Sequence, residues 1–442
     1  MLFQEVRTLL KLAWPVILGQ VGLMSMGLVD MVLVGRLGPE PLAALGIGNA
    51  LGFGTLLVGL GAAHGIDPLV TQAYGAGRPG EAVQALVRGT VMMAFVAAAV
   101  TLVHLYAGPL LTWMGQPEEL IPTAATYTQI LAPSVPLILA FALLRQFLQG
   151  SGQMQPAMWA IVIGNGVNLI ADYLLIEGNW GAPALGVPGA GWSTSIVRMA
   201  MLICLTAFAW PELKRAWPGT EGLISAQSVW NVSWIALPVG AQLALEVWAF
   251  TSVTLMSGWI GSLEVAAHQS ALSLASTSFM VPLGLSAAAS TRVGNLVGAG
   301  KSWTRAAVTT QVLACGIMGL AALIFVLFPE PLVRIFLHEP EAIALAASLI
   351  PVAAIFQLFD GLQVTSFGIL RGLGDTRKPM LANVVGYWLW GLPLGYVLTF
   401  HLGWGLQGLW FGLVVALGTV SLMLGARLWW WSRQPLPART IS

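Results

Sequence analysis

Five carboxylates stand in stretches of this 442-residue chain that otherwise read as hydrocarbon: Asp30, Asp67, Asp172, Glu246 and Asp360. A charged side chain inside an apolar span costs roughly 2.5–3.5 kcal/mol on insertion scales, so each of these acids should face a wet cavity or a partner. Asn168 and Asp172 are four positions apart, which sets them on one face of a helix, and Asp30 could join them in a small polar nest. Two acids facing each other repel unless they share a proton or a cation. A carboxyl in a low dielectric favours its neutral form, so such a group can take up a proton and release it when the cavity becomes more polar. The chemistry on offer is therefore reversible proton or cation binding, against the plainer reading of a polar cluster that ties two helices together. His64, near Asp67, and His268, in "AAHQ", suit a proton relay or a structural hydrogen bond. Met24, Met26, Met31, Met256, Met280, Phe279 and Trp248 could line an adaptable pocket or serve ordinary helix packing.

The elements that must hold these residues are membrane helices. With 57% of residues hydrophobic and 8% charged, and a mean hydropathy of +0.81, the chain has too few charges to cover a soluble globule of its size. Its nineteen basic and eighteen acidic residues leave no nucleic-acid footprint. Cys204 and Cys315 lack the spacing of a zinc site, redox pair or disulfide framework. The N-terminal stretch carries Arg7 and Lys11 ahead of an apolar run reaching Val34 with no small-residue cleavage site, and reads as the first membrane helix.

Searching the gaps between charges gives that span and eleven more, at roughly 41–73, 84–113, 121–144, 156–177, 186–209, 229–258, 265–297, 303–328, 342–368, 379–400 and 405–431. The basic residues from Arg7 and Lys11 through Arg427, Arg433 and Arg439 fall on one face of this topology, leaving Arg36, Arg198 and Arg334 as exceptions. Lys and Arg are retained on the cytoplasmic side, so both termini are expected there, in the cell inner (plasma) membrane.

Two Gly-rich phrases, "QAYGAGR" at 72–78 and "NLVGAGK" at 295–301, mark a duplication. At one displacement, 223 positions, Pro15 meets Pro238, Gly35 and Gly38 meet Gly258 and Gly261, and "GAGR" meets "GAGK". "LQGSGQMQPAM" similarly meets "LRGLGDTRKPML" with one residue inserted. A P-loop needs a preceding strand and four residues between its glycines, so these phrases are connections rather than nucleotide loops. Each half has six helices, an even number, so the halves share one orientation and leave a cleft between them. The acids break the repeat: Asp30 corresponds to Val253, Asp172 to Gly395, Glu246 to Leu23 and Asp360 to Leu137. Scaffold stability cannot demand them, or the twin half would carry them too.

With "VDMVLVG" in the first helix, "QAYGAG" after the second, "LQGSGQ" after the fourth, "AAHQ" opening the eighth and "FDGLQVTSFGILRGLGDT" from the tenth outward, the chain resembles the MATE family of multidrug and toxic compound extrusion transporters, nearest its NorM-type branch, over essentially its whole length. The resemblance implies an all-α polytopic membrane protein of twelve transmembrane helices in two pseudo-symmetric six-helix bundles with a central cleft. The lobes are expected at 1–215 and 229–442, joined by a cytoplasmic linker at 216–228. It further implies that Asp30, Tyr127, Asn168, Asp172 and Thr194 form an N-lobe cation or proton site, and that Glu246 and Asp360 are the C-lobe coupling acids. Asp67, His268, Gln269 and Met280 are candidates for a relay or the substrate cleft. Phe356 departs from some sodium-coupled members, which place a tyrosine one turn before the acid of the tenth helix, and so removes an oxygen that could serve as a ligand.

The implied activity is export of lipophilic, often cationic compounds by antiport with H+ or Na+ through alternating access, by a monomer, with no cofactor, structural metal or nucleic-acid partner. A lipid-linked glycan flippase of the same broad superfamily is the alternative, but it calls for arginines inside its cavity, and Arg198 alone is mid-helix. An enzyme is not expected, since HExxH, Cys/His clusters and nucleophile motifs are missing.

Overall fold

In the computed structural model, which describes residues 2–219 and 224–435, the described residues contain twelve helices long and apolar enough to cross a membrane. They are α1 (Phe3–Gly35), α2 (Pro39–Gly75), α3 (Pro79–Leu105), α4 (Ile121–Gly150), α5 (Gln155–Leu175), α6 (Val187–Ala216), α7 (Ala226–Ile260), α8 (Ser262–Gly298), α9 (Thr304–Leu327), α10 (Pro340–Gly372), α11 (Arg377–His401) and α12 (Leu406–Ser432). Arg439 and residues 220–223 of the expected linker lie outside the described residues.

Prolines start many of these helices: Pro39, Pro79, Pro122, Pro156, Pro188 and Pro340 each occupy one of the first two positions. There the missing N–H is no loss and the fixed φ suits the helix. The Gly-rich phrases are helix ends. Gly77 and Gly300 take positive φ values of 72° and 67°. The following residues close back on the helix, with Arg78 N donating to Ala73 O at 3.0 Å and Lys301 N to Leu296 O at 2.8 Å. This is a left-handed glycine cap that satisfies terminal carbonyls, and Gly152 and Gly374 repeat it in the second pair of matching phrases.

The chain divides into two compact units, Leu18–Gly240 and Met1–Ile17 with Ala241–Ser442. Both division points fall inside a helix, α1 and α7, just past Pro15 and Pro238, and they are related by the displacement of the sequence repeat. In the first unit, Val34, Leu45, Tyr127, Ile176 and Ala190 form one core cluster. In the second, Phe356, Tyr387 and Trp410 sit in a larger one. The start of α1 is held there by Leu9 and Ala13 against Leu285 and Ala288, and by Arg292 donating from Nε and Nη2 to Glu5 at 2.7 and 3.0 Å. Large apolar side chains such as Phe95, Val312 and Leu422 point outward, which suits a lipid solvent.

Three spans expected to be continuous are interrupted. α2 breaks at Gly65–Ile66, where a Cβ on Gly65 would run into the Ala236 backbone. α4 passes through a tight 3₁₀ turn at Ala132–Ser134. α11 carries wide π-type turns over Val384–Gly391 and Val397–His401. Turns of the 3₁₀ and π type inside longer helices are frequent at functional sites and hinges.

Candidate functional site

In the first unit, α1 and α5 bring the expected acids together. Asn168 Nδ2 donates to Asp30 Oδ1 at 3.0 Å, and Asp172, fully buried, has Asp30, Ser193 and Asn168 around its carboxyl. Both Asp172 carboxyl oxygens, Asn168 Oδ1 and Ser193 Oγ are buried without a protein hydrogen-bond partner. A buried acceptor without a donor costs about 1–3 kcal/mol. A group of oxygens on three side chains is instead satisfied by a shared proton or a small hard cation, which prefers oxygen ligands. Among the described residues no group of three or more His, Cys, Asp or Glu could hold a metal ion.

Tyr127 and Thr194 complete this cluster. Tyr127 is buried in a slot between α2 and α6: a Cβ on Gly48 would stand 2.7 Å from its Cδ1, and one on Gly191 3.4 Å from its Cδ2. Thr194, whose hydroxyl donates to Ala190 O at 2.9 Å, lies against Asp30 and Tyr127. The structure adds residues that the sequence reading did not assign to this site: Ser193, Ser134, His104 and Arg198. Arg198 Nη1 donates to Ser134 Oγ at 2.8 Å, and its charge lies within electrostatic reach of Asp30, Tyr127 and His104.

In the second unit, Glu246 on α7 is held at both oxygens. Gln363 Nε2 donates to Oε1 at 2.9 Å and Asn383 Nδ2 to Oε2 at 3.2 Å. Gln363 Nε2 also reaches the Tyr387 hydroxyl at 3.2 Å. Asp360, buried on α10, lies within electrostatic reach of Glu246. At Phe356 the ring packs edge-on to Phe250 and Trp410, with centroids at 5.9 and 5.7 Å, and Phe250 meets Tyr387 at 5.9 Å. The rings form an aromatic wall beside Tyr387, and the two amides hold Glu246, which makes no ion pair among the described residues.

The family model MatE matches residues 15–174 and again 238–397, two segments displaced by the same interval as the glycine phrases. The chain belongs to the MatE family. It is 33% identical over 445 residues to the probable multidrug resistance protein NorM of Mesorhizobium japonicum, covering 96% of this chain and 93% of that one. It is 35% identical over 430 residues to the multidrug resistance protein NorM of Burkholderia vietnamiensis, covering 94% and 92%. The fold matches the crystal structure of the eukaryotic MATE transporter AtDTX14 with a TM-score of 0.87 at 23% identity, over 97% of this chain and 96% of that one. Membership and the twelve apolar helices make this MatE chain a multi-pass membrane protein of a transporter family.

The remaining candidates of the MatE chain are dispersed. Asp67 is buried where α2 resumes after its break, on the order of 30 Å along the helix axis from the level of Asp30 by helical rise. Nearby, Arg145 Nη2 approaches His64 Nε2 at 3.5 Å. His268 is fully buried, with Nε2 3.0 Å from Thr254 Oγ1 and its ring edge-on to Trp410 at 5.8 Å. It thus touches the aromatic wall of the second site rather than Glu246 itself. Gln269 is exposed and Met280 half-buried. The methionines separate as well: Met26 packs beside Gly164 and Met201, Met256 is buried, and Met24 and Met31 are exposed. A cavity of about 400 Å³ is lined instead by Ser262, Leu263, Ala266, Phe336, His338 and Glu339, among others, at the start of α8. None of the expected site residues lines it.

Proposed function

We propose that this MatE protein exports lipophilic, often cationic small molecules by antiport with H+ or Na+, using alternating access, as the multidrug resistance names of its relatives suggest. The observation that carries the coupling half of this reading is the Asp30–Asn168–Asp172 cluster, where oxygens without donors surround one buried carboxyl. Glu246 and Asp360 form a second acid pair that biases the same equilibrium. Occupancy by a cation and accessibility to one side of the membrane are then linked, because an ion binding the two states unequally shifts their populations. One charge returning down about 150 mV supplies roughly 3.5 kcal/mol, enough for a few hundred-fold concentration ratio of a neutral solute.

The protein works as a monomer in the plasma membrane with both termini in the cytoplasm, the side to which the basic residues of the topology belong. Lobes at 1–215 and 229–442 are joined by a linker at 216–228. It uses no cofactor and has no nucleic-acid partner.

The test is uptake of a fluorescent organic cation into proteoliposomes under an imposed pH gradient and, separately, an imposed Na+ gradient. Asp30→Asn and Glu246→Gln are each expected to reduce gradient-driven uptake by about tenfold or more, a loss of about 1.4 kcal/mol in coupling. Unchanged uptake in both variants under both gradients would reject the assignment.

A further inference from the structure

Three basic residues stand off the majority face, and two of them are neutralised locally. Arg36 pairs with Glu177 at 3.3 Å and Arg334 with Glu330 at 3.5 Å. Arg198 differs. It lies in mid-span on α6, half-buried, and among the described residues it makes no ion pair and one side-chain hydrogen bond, to Ser134. A guanidinium is protonated at any physiological pH, so a full charge is kept inside a membrane span with no carboxylate in direct contact. That arrangement is costly unless the charge has a task and a partner nearby.

Its position names the partner. Arg198 is four residues past Thr194, on the same helical face, and Thr194 lies against Asp30. The titratable groups facing this region are Asp30 from α1, His104 from α3, Tyr127 from α4 and, beyond Asp30, Asp172 from α5. Ser134 is a fixed holder: it sits in the 3₁₀ turn of α4, and its own hydroxyl donates to Leu131 O at 2.8 Å, leaving its lone pairs for the guanidinium.

We propose that Arg198 is the built-in counter-cation of the Asp30–Asp172 site, exchanging between Ser134 and Asp30, and that it limits this site to one coupling cation. With both carboxyls ionised the pair carries two negative charges; the guanidinium offsets one, and a single proton or Na+ completes neutrality. When that cation is bound, Arg198 rests on Ser134. When substrate displaces it, Arg198 turns to Asp30 and holds the site ready for release. The inference rests on the coupling role proposed above for these acids, and gives it a stoichiometry.

The test uses the purified full-length protein with ethidium as the transported cation. Proton release per ethidium bound is counted by calorimetry in buffers of different ionisation enthalpy, and Na+ release with a radiotracer. The wild type and Arg198→Lys should release one cation. Arg198→Gln should bind the coupling cation about tenfold more tightly, since a nearby positive charge is gone, and release up to two. Ser134→Ala, which frees Arg198 to compete for Asp30, should weaken cation binding by about tenfold. A merely structural role would weaken both, so opposite signs support the proposal and equal signs overturn it. Should Arg198→Gln fail to fold, Arg198→Met replaces it with the same expected sign, and tighter or unchanged binding in Ser134→Ala still overturns the proposal. A wild type that releases no cation would reject the coupling role itself. A wild type that releases one, with both variants unchanged, would reject only the counter-cation.

Discussion

Asp172 stands to gain most from a bound proton or cation, because its carboxyl is fully buried and neither oxygen finds a donor. What keeps such a group useful is the precision of its surroundings, and Tyr127 is the most constrained of them. Replacing Gly48 by Val would drive a side chain into the Tyr127 ring and the Ala124 carbonyl, and overpacking of this kind costs about 1–3 kcal/mol. The expected result is a protein that still inserts but loses gradient-driven uptake by about tenfold or more, checked in the same proteoliposomes. In the second site, Gln363→Leu removes the donor to Glu246 Oε1 and leaves Tyr387 without its amide partner. A stranded buried acceptor costs about 1–3 kcal/mol, so a lower thermal midpoint in detergent should accompany reduced uptake.

The acids themselves were legible in the sequence, because a charge in an apolar span stands out at once. Their partners were not. Asn383, Gln363, Ser193 and Ser134 carry no charge to set them apart in an apolar span, and the Asp30–Asn168 contact joins residues 138 positions apart. Only the spacing of Asn168 and Asp172 within one helix could be read directly. Arg198 was visible as an off-face charge, but its neighbours were not.

Among the elements, the glycine phrases carry the clearest structural demand. Gly77 and Gly300 hold left-handed conformations that a side chain adopts only with strain, at a cost of roughly 1–2 kcal/mol. Gly77→Ala and Gly300→Ala should each lower the unfolding midpoint in detergent while leaving the substrate dependence of uptake unchanged, because both lie at helix ends away from Asp30, Asp172, Glu246 and Asp360. A sharper case is Gly372 on α10, where an added Cβ would stand 2.6 Å from Ser290 O of α8. Gly372→Val should therefore destabilise the second unit more than either cap change, by about 1–3 kcal/mol or more.

The count and approximate limits of the spans were legible from hydropathy, but their interruptions were not. Pro282 and Pro351 lie inside continuous helices α8 and α10, whereas the break in α2 comes at Gly65, where a neighbouring backbone approaches. Proline marks where a helix can bend, and tertiary packing decides whether it does. The wide turns of α11 had no local signal at all; they occur in a stretch where Tyr387 meets Gln363 of α10 and Trp388 donates to Leu245 O of α7.

For the whole molecule, one scaffold was written twice and two different sites were placed on it. The duplication was readable because helix caps and bends demand the same residue types in both halves, and the two units divide at points separated by that same displacement. The acids had no twin, so the shared scaffold does not demand them, and the function proposed above gives a reason for their asymmetry. If both acid sets bias one two-state equilibrium, their effects cannot be independent, since coupling that has been lost at one site leaves nothing for the other to transmit. Comparing the wild type, Asp30→Asn, Glu246→Gln and the double variant in gradient-driven uptake tests this directly. The double variant should fall within about threefold of the more damaging single variant, well short of the roughly hundredfold expected if two tenfold losses multiplied. Multiplying losses would mean that each site drives transport on its own, and the lobes would then be parallel engines rather than parts of one.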